Sequence, residues 1–226
     1  MSVYDKEIVV KGIGQMKVVP DLIELKIRLD SIDLNYEKTM ELATNALENL
    51  RNAIHSAGHD KKKLKTSLFN IGSEVHRYRD DDNVWQEQFM GYKCIQNLKL
   101  QFDYDMQTLK NTIAEIAKSD SKPDIKLFFT IKEPNAVKEA LLEKAIENAS
   151  KTADILAKSA GVKLGAIKRI DYNWSEVHLY SRTDYNVFKS IKSVFNEVVP
   201  ATPKIMDFEP DDIDARDTAS IVWEIA

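Results

Sequence analysis

The sequence predicts an α+β domain: an antiparallel or mixed sheet with a split βαβ core, packed by two or three helices, with extra strands at both ends. Three observations carry this. From Leu22 to Lys132 the apolar period switches between two and 3.6 residues in the order strand, helix, strand, strand, helix, strand, which is the split βαβ order. Apolar alternation adds one strand before that stretch, and a long helix and two strands after it. No low-complexity linker divides the 226 residues, so a single domain spanning 1–226 is expected.

The first strand contains VKGIGQMKVVPD, Val10 to Asp21. Two glycines one residue apart after an apolar run allow two readings, a phosphate loop or a shaped strand. A dinucleotide loop needs a third glycine three residues after the second, then a helix whose N-terminus faces the pyrophosphate. Lys17 stands at that place, and Pro20 pushes Val19 toward extended geometry. The next residues alternate strictly, Ile23, Leu25, Ile27 and Leu29 against Glu24, Lys26, Arg28 and Asp30. The segment therefore reads strand, turn or bulge, strand, with Gly12 and Gly14 permitting a bulge or a close backbone approach.

Tyr36, Met40, Ala43, Leu47, Leu50, Ile54 and Ala57 alternate spacings of four and three. That is a helix, with Asn35 as N-cap and Gly58 as C′ residue. Leu64 to Arg79 and Phe89 to Asp105 read as long strands joined by the polar tip DDDN, a hairpin. Tyr92, Cys94, Leu98, Leu100, Phe102 and Tyr104 share one face of the second. Asp105 caps a short helix with Met106, Leu109, Ile113 and Ile116 inward; SDSKPD ends it, and Ile125 to Lys132 is a strand.

Ala136 to Ala160 is the longest helix, stopped by Gly161. Its expected stripe is Val137, Leu141, Ala145, Ala149, Ala153, Leu156 and Ala160, while Ala145, Ala149, Ala153 and Ala157 also stand at four-residue spacing. So many alanines point to close approach to a sheet or another helix. Ala166 to Val177 reads as a strand. TASIVWEIA closes the chain with Ala219, Ile221, Trp223 and Ile225 on one face. The stretch from Tyr180 to Asp217 has weak patterning and three prolines; residues 180–212 read as an irregular loop or insertion, longer than an ordinary connection.

Taken together, these pieces resemble the SIMPL-domain family. The matching residues are VKGIGQMKVVPD with its alternating strand, GYKCIQNLKLQFD with Gly91 and Tyr92 opening a long strand, EALLEKAIENASKTADILAKSAG running into VKLGAIKRID, and the closing TASIVWEI. The resemblance covers about residues 7–178 and 214–225. It implies an α+β domain and, as in some envelope members, assembly into large homo-oligomeric rings. It also implies a link to stress tolerance but no settled catalytic activity. Its recurrent positions are glycine, proline and small apolar residues, which are architectural types.

Composition narrows the function. Net charge is −4, which argues against a nucleic-acid-binding domain and against an electrostatic membrane anchor. No apolar run approaches the ~18 residues of a membrane helix, and the N-terminal residues lack a signal-peptide pattern. A bacterial cytoplasmic location is expected from the sequence as given, or the cell envelope if a leader precedes it. The single Cys94 permits no internal disulfide and no cysteine-based zinc site, and its place in an apolar alternation makes it a buried thiol. His55 and His59 have metal-pair spacing, but Gly58 between them ends the helix; they read as surface histidines near its C-terminus. RDDDN and DFEPDDIDARD lack a calcium loop's central glycine and closing glutamate and read as solvated loops. Lys61 to Lys63 read as a solvated turn. No catalytic residues, cofactor or metal ligands are assigned.

Tyr172 and Trp174 alternate on one strand, and with Tyr180 and Tyr185 they form the candidate binding surface. For Tyr172 and Trp174 the core is the favoured reading and an exposed binding surface the alternative. The expectation is a non-enzymatic, self-associating scaffold or stress-related protein, its copies joined at sheet edges or through 180–212. The alternative is a binding module using 180–212 and the adjoining strand.

Overall fold

The computed structural model describes residues 6–172, 177–183 and 209–226, and the backbone of 185–186. In chain order the elements are β1 (Glu7–Val18), β2 (Leu22–Asp33), α1 (Tyr36–Ser56), a 3-10 turn (Lys61–Lys63), β3 (Lys65–Arg79), β4 (Trp85–Asp103), α2 (Met106–Lys118), β5 (Asp124–Thr130), α3 (Pro134–Ala160), β6 (Leu164–Tyr172), β7 (Tyr185–Asn186) and β8 (Ile213–Ile225). The fold is α+β. Its strands form one sheet in the order β3-β4-β2-β5-β7 and another in the order β1-β8-β6. Two compact units result. One draws on 22–129 and 183–209, the other on 1–21, 130–182 and 210–226.

The 22–129 unit contains the split βαβ arrangement. The alternation in β2 and β4 sends Ile23, Leu25, Ile27, Leu29, Leu98, Leu100 and Phe102 to one face. There they meet Leu50 and Ile54 of α1, and Leu109, Ile113 and Ile116 of α2. Each such side chain, fully buried, contributes about 1.5–3 kcal/mol. The caps follow the sequence reading. The Asn35 side chain accepts from Lys38 N at 3.1 Å, and Gly58 has φ 96° just past α1, where a side chain would be strained. Asp105 accepts from the backbone N–H groups of Gln107 and Thr108.

Three expectations need correction in this unit. Tyr36 is half exposed, and Thr39 occupies the buried row instead, its hydroxyl donating to Asn35 O at 3.0 Å. β4 starts at Trp85, four residues before the expected Phe89. Glu24, placed on the solvent side by its alternation, is 2% exposed. Gln101 Nε2 donates to it at 2.7 Å and Lys26 Nζ lies 3.6 Å away; long neighbours on a polar sheet face cover the shorter carboxylate beneath them.

The other unit is built on β1 and β8, which pair antiparallel without a register shift from Glu7 opposite Glu224 to Val18 opposite Ile213. The bulge reading of Gly12 and Gly14 therefore fails, and the chain turns at Val19 to Asp21 instead. The close-approach reading holds. A Cβ on Gly12 would overlap the Ala145 carbonyl oxygen and lie 2.7 Å from Ala149 Cβ; one on Gly14 would overlap the Leu141 carbonyl oxygen. The backbone of α3 thus lies against these glycines and fills the space a phosphate would need.

The buried row of α3 is Leu141, Ala145, Ala149, Ala153 and Ala157. Leu156 and Ala160, expected in the stripe, are exposed. An i, i+4 row is a helix ridge inclined about 26° to the axis, so the contact drifts off the axial stripe that mixed spacings trace. Asn148 Oδ1 accepts from Ile13 N at 3.0 Å and so satisfies one outer donor of edge strand β1. β8 begins five residues before the expected Thr218. Within DFEPDDIDARD, taken as a solvated loop, Ile213, Ala215 and Asp217 point inward while Asp214 is exposed. β6 is described over Leu164–Tyr172; of the expected strand from Ala166 to Val177, residues 173–176 lie outside the described residues and Val177 is not in a strand.

Candidate functional site

The sequence-derived surface divides between the two units. Tyr172 closes β6 opposite Ala219. Its hydroxyl donates to Asp217 Oδ2 at 2.9 Å. Asp217 is 3% exposed, and its Oδ1 accepts from Thr218 N at 2.7 Å. The hydrogen bond to Asp217, with burial second, raises the pKa of the Tyr172 phenol, so it stays a proton donor at neutral pH and ties β6 to β8. Tyr180 is half buried with its ring 5.7 Å from that of His178. It sits in a segment fastened by Thr130 Oγ1 donating to Leu179 O at 2.6 Å and Ser181 Oγ donating to Asp211 O at 2.7 Å. Tyr185 belongs to the other unit, its backbone opposite Leu127. Its side chain, and Trp174 entirely, lie outside the described residues.

The reactive side chains occupy structural positions. Cys94 is 1% exposed, and burial raises its thiol pKa, with Asp30 adding to the effect; a thiol held protonated is a poor nucleophile. His55 is exposed. His59 is not the surface histidine expected: it is 7% exposed, its Nε2 2.7 Å from Thr112 Oγ1. Among the described residues, no three His, Cys, Asp or Glu side chains converge as metal ligands.

A second surface has no counterpart in the sequence reading. β2 has 12 residues, but β3 has 15 and β4 has 19. β2 pairs with β4 only from Tyr92 to Asp103, whereas β3 follows β4 out to Trp85. Beyond Gly91, at φ 131°, the sheet is therefore a two-stranded ribbon.

Register places Val75, Arg77 and Arg79 opposite Phe89, Glu87 and Trp85 on one face, and His76 and Tyr78 opposite Gln88 and Gln86 on the other. Arg77 pairs with Glu87 at 2.6 Å, and the Arg79 guanidinium lies 4.8 Å over the Trp85 ring. Asp80 organises the tip by accepting from Gln86 Nε2 and from the N–H groups of Val84 and Asp82. These bonds, that from Gln86 foremost, lower its pKa.

The ribbon carries apolar side chains into solvent: Trp85 is 64% exposed and Phe89 48%, with Val75, Tyr78 and Met90 similar, and Phe69, further along β3 opposite Gln96, is 52% exposed. At its base, Phe89, Tyr92 and Tyr36 stack edge to face with centroids 5.4 Å apart. Among the described residues β3 is also the edge of its sheet, and an outer backbone row of this kind is open to strand addition. Such an arrangement suits recognition by backbone pairing and apolar contact. The signal in the sequence was the mismatch in strand length, since apolar residues run on past the end of the neighbouring strand.

The SIMPL family profile, described as "Protein of unknown function (DUF541)", matches residues 8–223. A 26 kDa periplasmic immunogenic protein of Brucella melitensis biotype 1 is 25% identical over 171 residues, covering 75% of this chain and 68% of its own length.

Proposed function

Because the chain belongs to the SIMPL family, whose description assigns no activity, we propose that it acts through self-association, as a non-enzymatic scaffold or stress-related protein, with the β3–β4 ribbon as the contact between copies. The observation that carries this reading is the ribbon itself. A two-stranded ribbon alone is marginal in water, and here it holds exposed aromatic residues along an unpaired edge. Burying that surface against a second copy would stabilise it and remove the edge. The expected contact is through this sheet edge rather than through 180–212.

Light scattering on the purified chain at micromolar concentration tests the proposal. A mass that is a multiple of 25.8 kDa is expected. Replacing Trp85 and Phe89 together by lysine should bring it to the monomer value with an unchanged circular dichroism spectrum. A monomer mass for the unaltered protein overturns the reading. An oligomer that persists in the double variant moves the contact elsewhere.

The compartment is part of the same question. The name of the Brucella relative places that protein in the periplasm, while a cytoplasmic location stands as the alternative for this chain. No described helix is long and apolar enough to cross a membrane. Cell fractionation separates the two locations, and the assembly proposal holds in either.

A further inference from the structure

His59 sits where the end of α1 meets α2. It follows Gly58, whose positive φ turns the chain back, and its backbone N–H donates to Ile54 O at 3.1 Å. The ring is 7% exposed, with its centroid 4.8 Å from that of Phe102 on β4. Its polar contact is between Nε2 and Thr112 Oγ1 on α2, at 2.7 Å.

The direction of that bond can be deduced. The Thr112 hydroxyl has one proton, and it is directed to Thr108 O at 2.7 Å. Thr112 Oγ1 must therefore accept from His59, which fixes the neutral Nε2–H tautomer. A second proton goes on Nδ1; the Nε2–H bond to Thr112 stays, and the charge sits on a ring that is 7% exposed and packed against Phe102. The titratable groups around the ring are His55 from α1, and Asp60 and Lys63 from the 3-10 turn; Phe102 from β4 and Thr112 from α2 are neutral. Lys63 disfavours the cation, and no carboxylate among the described residues bonds to the ring. Burial first and Lys63 second lower the His59 pKa.

We propose that His59 is an acid-sensitive element between α1 and α2: neutral, it donates from Nε2 to Thr112 and packs against Phe102, and a proton on Nδ1 leaves that bond in place but puts a charge into the contact, which destabilises the folded 22–129 unit. The sign follows from linkage. The unfolded chain takes up the proton near the ordinary histidine pKa, about 6.5, while the folded chain resists it. The unfolded state then holds more protons over that range, and stability falls as pH falls below about 6.5. If only the unfolded state titrates, the unfolding equilibrium constant rises about tenfold between pH 7.5 and 5.5.

The test compares the full chain with His59→Gln, whose amide N–H₂ can still donate to Thr112 but does not titrate. Urea unfolding at the two pH values should show about a tenfold larger pH effect in the unaltered chain than in the variant. Proton NMR gives a second readout that survives poor folding of the variant. The imidazole resonance lost in a His59→Gln or His59→Asn sample should hold its neutral position at pH 6, where a solvated imidazole is about three-quarters protonated. Equal pH effects in the two proteins, or a His59 resonance that titrates like free imidazole, overturn the proposal.

Discussion

The two units solve the same packing problem with opposite materials. In the 22–129 unit, helices stand off the sheet and the gap is filled by Ile, Leu and Phe side chains. In the unit built on β1 and β8, α3 comes down until its carbonyl oxygens reach the positions where Cβ atoms of Gly12 and Gly14 would be, and Ala145, Ala149 and Ala153 are the side chains between. The first interface gains from transferred apolar volume. The second gains from dispersion between closely fitted backbones, which leaves no space for relaxation. The lesson is that burial alone does not predict tolerance: fully buried alanine and fully buried leucine fail in opposite directions.

Substitutions can break this contrast. The largest effect is expected for Gly12→Val. The Cβ alone already overlaps helix backbone at Ala145, so the cost should exceed the usual overpacking range of about 1–3 kcal/mol, and thermal unfolding should show the variant largely unfolded or strongly shifted. Leu100→Ala removes buried volume in the other unit and should cost about 2–5 kcal/mol by denaturant unfolding. The sharper pair is Ala149→Val against Leu100→Met. The first adds atoms at the close seam and should cost about 1–3 kcal/mol; the second conserves volume and should cost less than about 1.5 kcal/mol. Equal costs for the pair would show that the seam relaxes and would remove the contrast. The smallest stability effect is Asn35→Ala, which removes one helix cap for about 1 kcal/mol. Last, Cys94 should react slowly with a thiol reagent in the native chain and quickly in denaturant; equal rates would place it outside the core.

How far the sequence could be read follows the same division. The large-residue unit announced itself, because Leu and Ile at helical or strand period show which face is inside, and caps such as Asn35, Asp105 and Gly58 set the helix ends. The glycine seam was legible in kind, as close approach, but not in its partner, since alanine is common on buried and exposed helix faces alike. Leu156 was assigned inward because it is apolar, although the ridge geometry leaves it outside. The start of β8 was hidden because Asp214, Arg216 and Asp217 look like a loop, and the bond from Tyr172 to Asp217 depends on strands far apart in sequence. His59 and Glu24 were assigned to solvent by residue type. Their partners Thr112 and Gln101 come from other elements, which no local pattern reveals.

The pairing of β1 with β8 sets a timetable for the nascent chain. Lys11 lies opposite Ser220, so β1, once made, waits for a partner strand that is synthesised about 200 residues later. At about 5–20 residues per second, that delay is on the order of 10–40 seconds. During it residues 22–129 have been synthesised as one contiguous stretch and can fold. β1, with Val9 and Ile13 among its side chains and neither α3 nor β8 yet made, is an orphan edge throughout. The segment best placed to need a chaperone's protection is therefore the glycine strand, which in the finished protein is held by helix backbone on one face and by β8 along one edge.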